Sequence, residues 1–485
     1  MVCLAWRLYS PCLSKDLLEI INDPCRRRAF SAIRIFLTAS RVEAIFHFVN
    51  YKFRRQNSEI RSAKTTLEGN MKKFSIVLSV ISALIVFGVR ADTSDVKTQS
   101  IVEVKKQGDH CGDDPNCMNR YHYAIPAIAH AKPGQLIRYE TRDALDSDLT
   151  INSEPKDVLA IDLNLVHPIT GPVHIEGAKR GDVLAVTLID IEPDEYGYTT
   201  IVPGFGFLRD MYTEPFVANW KVNRMEAVSD QVPGVRIPMN GFMGTVGTLP
   251  GKPEVDAWLA RENALGAAGG IALPPQPTGA RPTAVCGPDG SHSAECLRTI
   301  PPRENGGNMD IKQMVVGTTL LLPCYVDGCG LFVGDVHYAQ GDGEVAGTAI
   351  EIGAKVTVRT EIRKGMASMM KSGPHFEGGS QIKALEPDKF YATVGYPIKE
   401  AGKDLPYVTY LDAKKLTPLS NLSEDLTAAA RSSLVEMINW LVTQKGFTRE
   451  QAYVITSVAC DIRIGNLVDL PNYAVSTICP LEIFD

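Results

Sequence analysis

The 485-residue chain has no G-x-S-x-G nucleophile elbow, no Walker A loop, no dinucleotide-binding fingerprint and no H-E-x-x-H pair. These absences argue against serine-esterase chemistry, nucleotide hydrolysis, nicotinamide redox chemistry and the commonest zinc-protease design. It also lacks the Ser/Gly-rich tract with an S-x-x-K-like lysine that many serine amidases use, so a serine nucleophile is disfavoured. Cysteines are few, and none has the paired C-x-x-C spacing of a structural zinc site. Positive charge is scarce where it would matter for nucleic acid. Residues 92–485 hold 35 Lys/Arg against 50 Asp/Glu, a net of −15. Such a body repels phosphate backbones and excludes nucleic acid as a partner.

What is present begins with an unusual N-terminus. Residues 71–91 run Met71-Lys72-Lys73, an apolar stretch from Phe74 to Val89, then Val89-Arg90-Ala91. That is the basic, apolar and small-residue order of a secretory signal, with cleavage expected after Ala91. The apolar stretch is a little short for a stable span of about 20 residues, so membrane contact is expected only transiently, during export. Residues 1–70 precede it and are basic, with 12 Lys/Arg against 6 Asp/Glu and no sustained apolar period. They read as an untranslated or disordered extension, with Met71 as the true start. The expected mature protein is residues 92–485, periplasmic or secreted, in one domain.

Eight cysteines follow the signal, an even number that permits disulfides in an exported chain. Cys111/Cys117 and Cys286/Cys296 lie in Gly/Pro/Asp-rich loops at short separation and suit local staples. Cys324, Cys460 and Cys479 lie among apolar residues and read as small core side chains.

The mature region reads as mainly β with helices late, an α+β arrangement of sandwich- or barrel-like sheets. Ala354–Arg363 alternates with period two, as a half-buried antiparallel strand does. Asp182–Ile191 is more apolar and is expected to be covered on both faces, and Gln135–Tyr139 is another short strand. Ser423–Gln444 carries apolar residues at helical spacing, ended by Gly446, and Thr448-Arg449-Glu450-Gln451 is a capping-box start for a second helix. Between the strands Asp182–Ile191 and Ala354–Arg363, the Gly/Pro-rich stretch from Gly266 to Gly307 is expected to form a wall or lid of a site.

The densest polar cluster is Gly307-Asn308-Met309-Asp310 together with Gly334-Asp335-Val336-His337-Tyr338-Ala339-Gln340-Gly341-Asp342-Gly343-Glu344. The apolar run Thr318–Val326 between them reads as a buried strand. Residues two apart share a face on extended backbone, so Asp335/His337 and Asp342/Glu344 are each expected to point into one pocket. Carboxylates with imidazole are a ligand set for a divalent metal, zinc foremost, and equally a general acid–base set without one. Gly341-Asp342-Gly343 alone would also suit a plain hairpin turn. A second cluster centres on His167, held extended by Pro168; it serves either the site or its own local backbone.

At these clusters the chain resembles the acetamidase/formamidase family. The resemblance rests on His167-Pro168-Ile169-Thr170-Gly171-Pro172, on Pro301-Pro302-Arg303-Glu304-Asn305-Gly306-Gly307-Asn308-Met309-Asp310, on the Gly334–Glu344 string, and on Cys460-Asp461-Ile462-Arg463-Ile464. It implies hydrolysis of formamide, acetamide or similar linear amides to acid and ammonia, by a metal- or carboxylate-activated water in a homo-oligomer. In that reading Asp310, Asp335 and His337 hold the cation, Glu344 is the general base, and Asp342 orients the water. His167, Asn308 and Gly307 contact the substrate. A non-catalytic binder of small amides, and a hydrolase of another C–N bond such as a cyclic amide or N-formyl compound, are the competing readings.

Overall fold

In the computed structural model the described residues are 100–270, 272–398, 402, 418, 425–468 and 473–485. The N-terminal extension, the signal sequence and its cleavage point lie outside them. The elements that carry the argument are β1 (Leu136–Thr141), β2 (Ile169–Ile175), β3 (Val183–Ile201), β4 (Phe216–Val222), β5 (Glu226–Ser229), β6 (Val232–Pro238), β7 (Phe242–Thr248), α1 (Lys252–Ala267), β8 (Gly306–Asn308), β9 (Thr319–Pro323), β10 (Leu331–His337), β11 (Glu351–Arg363), β12 (Phe390–Gly395), α2 (Leu426–Lys445), α3 (Arg449–Ala459), β13 (Asp461–Asn466) and β14 (Ala474–Pro480).

One branched sheet dominates. Its main path runs β6-β5-β4-β3-β11-β10-β7-β8, with β1 on β11, β2 on β10 and β9 on β3. β11 is its spine. Val356 and Val358 are buried while Lys355, Arg359 and Glu361 are exposed, the alternation expected of a half-covered strand. Thr357 departs from it: Arg138 of β1 donates Nε to its hydroxyl at 3.5 Å and covers it. β3 is longer than its apolar sequence suggests, because after pairing with β9 it continues along β11 to Tyr198, through two register shifts, and pairs with β4 to Ile201. A separate three-stranded sheet, β12-β14-β13, closes the C-terminal part.

The helices follow from local chemistry. Thr448 Oγ1 accepts the Gln451 N–H at 3.2 Å and Gln451 Oε1 accepts the Thr448 N–H at 2.9 Å, which is the reciprocal cap expected at the start of α3. Gly446 ends α2 at φ 78°, a left-handed position that favours glycine. α1 is not legible from periodicity, because it buries only Val255 and Trp258 along 16 residues. A narrow apolar contact leaves no stripe in the sequence.

The cysteines correct the reading of three of them as free core residues. Cys111–Cys117 and Cys286–Cys296 are bonded as expected, but so are Cys324–Cys329 and Cys460–Cys479. Burial does not separate a packed thiol from a half-cystine; topology does. Asp461 pairs with Ile478 in the β13/β14 ladder, which sets their neighbours Cys460 and Cys479 side by side.

For function the decisive element is β10. All seven of its residues are buried, it pairs antiparallel with β7 and β2, and its last two residues pair with β11. It carries Asp335 and His337 into the interior at its C-terminal end.

Candidate active site

His337 is the centre. Its Nδ1 lies 2.8 Å from Gln340 Oε1, and the Gln340 amide nitrogen donates to the Asp310 carbonyl at 2.7 Å. The carbonyl can only accept, so it fixes the orientation of Gln340, whose oxygen must take the Nδ1–H. Nε2 is thereby turned toward the carboxylates. It lies 3.2 Å from Glu351, 3.4 Å from Asp335, 3.9 Å from Glu344 and 4.0 Å from Asp310.

Backbone shape helps gather these groups. Asp310, Asp335 and Glu344 all adopt left-handed φ, at 50°, 51° and 44°. Such positions cost roughly 1–3 kcal/mol each for residues other than glycine and concentrate at functional sites. Gly244 on β7 lets its strand pass beside the imidazole, since a Cβ there would stand 2.8 Å from His337 Nε2. Thr245 donates its hydroxyl to Asp335 at 3.1 Å.

Electrostatics follow from packing four carboxyls round one ring. Burial, outweighed by the charges of Glu351 and Asp335, leaves His337 well above the usual histidine range. Burial is likewise outweighed at Asp335, where His167 and His337 hold the carboxyl below its ordinary value. Nothing comparable rescues the others. Burial pushes Asp310 up to about 8, with the charges of Asp335 and Glu351 adding to it, and pushes Glu344 well above the carboxylate range, with the charge of Asp310 adding there. Glu351 is also raised by burial.

This has a stability consequence for metal-free protein. Asp310, Glu344, Glu351 and His337 all have folded pKa values raised above their unfolded ones. Their stabilising contribution is complete below the unfolded values, near about 4 for the acids, and is lost as pH rises toward the folded ones. The folded chain then keeps protons that the unfolded chain releases, costing up to about 1.4 kcal/mol per pH unit for each group. Chelator-treated protein is therefore expected to melt several degrees lower at pH 8 than at pH 5. A melting temperature that rises over that range, followed by calorimetry, would contradict this charge assignment.

Two trios that share His337, Asp310/Asp335/His337 and His337/Glu344/Glu351, each bring their ligand atoms within 4.8 Å of one another. His337 Nε2, Asp310 Oδ1 and Glu351 Oε2 are buried without a hydrogen-bond partner. Orphaned donors of this kind, with a second ring nitrogen already tied down, suit a divalent cation.

The site opens into a cavity of about 620 Å³ lined by His167, Asn308, Asp310, Asp335, Glu344 and Glu351 among others. His167 Nε2 stands 3.8 Å from Asp335, and its Nδ1 is buried and unpartnered. Asn308 gives one amide hydrogen to the Ile300 carbonyl at 3.1 Å. Leu273, Arg298 and Ile300 line the cavity, so the Gly266–Gly307 stretch does form part of its wall.

Two expected residues lie elsewhere. Asp342 accepts from Gln313 at 3.0 Å, and its N–H goes to Asp461, which holds the buried Lys312. It anchors the turn that presents Glu344. Gly307 pairs with Val246 and faces the Tyr121 hydroxyl, away from the cavity wall. Alternation misplaces Asp342 because residues 342–347 form turns and not a strand. Conversely, Glu351, Thr245 and Gln340 belong to the site without being singled out from the sequence. Glu351 did leave a signal, as one carboxylate between Ile350 and Ile352 at the start of an apolar strand.

The sequence signature described as the Acetamidase/Formamidase family matches residues 102–485. The chain is 33% identical over 364 residues to an acetamidase of Mycolicibacterium smegmatis, covering 70% of this chain and 84% of that protein. It is 32% identical over 389 residues to a formamidase of Methylophilus methylotrophus, covering 77% and 90%. Among solved structures, a gamma lactamase from Delftia acidovorans superposes with a TM-score of 0.71 at 30% identity, covering 80% of this chain and 94% of that one.

Proposed function

The chain belongs to the acetamidase/formamidase family, and from that premise we propose that it hydrolyses linear amides to carboxylic acid and ammonia. The observation that carries the proposal is the convergence of four carboxyl groups on His337 Nε2 beside a cavity that all four line. Asp310, Asp335 and His337, with Glu351 beside them, would hold a divalent cation, zinc by the mixed oxygen and nitrogen donor set. Such a cation, when bound, supplies Lewis acidity toward the amide carbonyl and the attacking water.

The remaining work falls to side chains of this chain. Glu344 takes the proton of water and returns it to the leaving nitrogen, a task suited to a carboxyl whose burial raises its basicity. The second amide hydrogen of Asn308 and the His167 side chain meet the substrate amide. Asp342 acts at one remove, by fixing the turn that carries Glu344. All eight described cysteines are paired, which supports the proposal of export to an oxidising compartment.

A second reading has its own support. A structural relative is named a gamma lactamase, and the cavity exceeds what a four-heavy-atom amide fills. A panel of formamide, acetamide, longer primary amides and a γ-lactam separates the possibilities. Equimolar ammonia and acid from a primary amide is the expected result. Ring opening without ammonia release from any primary amide would transfer the assignment to cyclic amides. Tight amide binding with no product would make the protein a binder.

A further inference from the structure

Two buried arginines lack the carboxylate that such residues normally have. Arg120 and Arg298 are directly opposed across the short ribbon Arg120–Tyr121/Leu297–Arg298. Arg120 is 0% exposed and Arg298 6%. Arg120 donates to the carbonyls of Asn119 at 2.7 Å and Gln276 at 2.8 Å, and Arg298 to that of Leu163 at 2.6 Å. The Nε of each is buried with no partner. Neither forms a salt bridge among the described residues, with Asp162 felt only at longer range.

The contrast lies within the same protein. Arg142 has Asp114 at 3.2 Å, and Arg303 has Glu262 at 2.6 Å. Burial, followed by the neighbouring cation, drives Arg120 down to about 9. Like charges facing each other across a ladder repel, and buried charges without counter-charge are normally eliminated. An anion supplied from outside resolves both costs. Arg298 is the one of the pair that reaches the cavity, and it lines the same cavity as Asp335 and Glu344. Much of the remaining lining is apolar, as at Leu145, Val166, Val202 and Phe205, while Thr200, Arg209 and Thr348 also line the cavity.

We infer that Arg298, backed by Arg120, binds a carboxylate on the substrate, so that the preferred substrates are linear amides with a carboxylate at the far end of a short apolar chain. The inference rests on the amide-hydrolase reading and narrows its substrate class. A single carboxylate suits the planar guanidinium fork. The acidic groups at the reacting end would repel it, and so orient the amide toward them.

The experiment compares succinic monoamide with the neutral pentanamide of similar length. Wild-type kcat/KM for the carboxylate-bearing amide is expected to exceed that for the neutral one by about 10–100-fold, the usual range for a charge-assisted pair. In Arg298→Gln the ratio falls to near one, and Arg298→Lys restores part of it. Equal or reversed preference in the wild-type enzyme overturns the inference, whether or not the variants fold. Calorimetric binding of succinate gives an independent readout. If no amide is turned over, the hydrolase reading fails. The carboxylate site still stands if Arg298→Gln weakens succinate binding at least about tenfold, and falls if binding is unchanged.

Discussion

Exchange of Glu344 for glutamine is expected to lower kcat on the best amide by about 10²–10⁴-fold, the usual contribution of a positioned general base. The substitution keeps volume and shape and removes only the capacity to take a proton. It also removes one of four carboxyls crowded round His337, where burial already holds Glu344 protonated well above the carboxylate range. The folded protein gains by that loss, so Glu344→Gln is expected to melt no lower than wild type near neutral pH. Loss of rate with retained stability is the signature of a chemical role. Wild-type kcat in Glu344→Gln, together with wild-type kcat in His337→Ala, would remove the acid–base assignment. A fall in kcat accompanied by a comparable fall in melting temperature would point to a structural role for the turn.

Much of this site was legible in the chain, and the limits were physical. Asp335 and His337 sit two apart on a real strand, so alternation placed them together correctly. Asp342 and Glu344 have the same spacing but lie in turns, where successive side chains diverge, and only Glu344 reaches the imidazole. Asp310 is brought in by β8 pairing with β7, a contact between residues 63 apart that no local pattern announces (Thr245 with Asn308). The main sheet was foreseen as strands but not as a path, because strand order is set by which apolar faces meet. The bond between Cys460 and Cys479 has the same origin, in the β13/β14 register.

Removal of divalent metal is expected to have the largest effect of all, at least about 10³-fold on kcat, since Lewis acidity and water activation are lost together. Zinc added back to the chelated protein should restore activity in proportion to the metal bound, measured by elemental emission. The cause is electrostatic. Four closely packed carboxyls cannot all ionise round one imidazolium, and the metal-free site meets this by favouring the protonated forms of Asp310 and Glu344. A dication supplies the missing positive charge, so binding should release protons and weaken as pH falls. Calorimetry in buffers of different ionisation enthalpy reads that release directly. Asp335→Asn is the sharpest variant, because this carboxyl alone among the four is held below its ordinary value and contributes full charge. It should lose both bound metal and turnover, while the Thr245 hydroxyl still finds an acceptor in the amide oxygen. Full activity in metal-free protein, verified by emission, would leave the carboxylates as a pure acid–base set. Asp310 and Glu344 would then be working acids of that set.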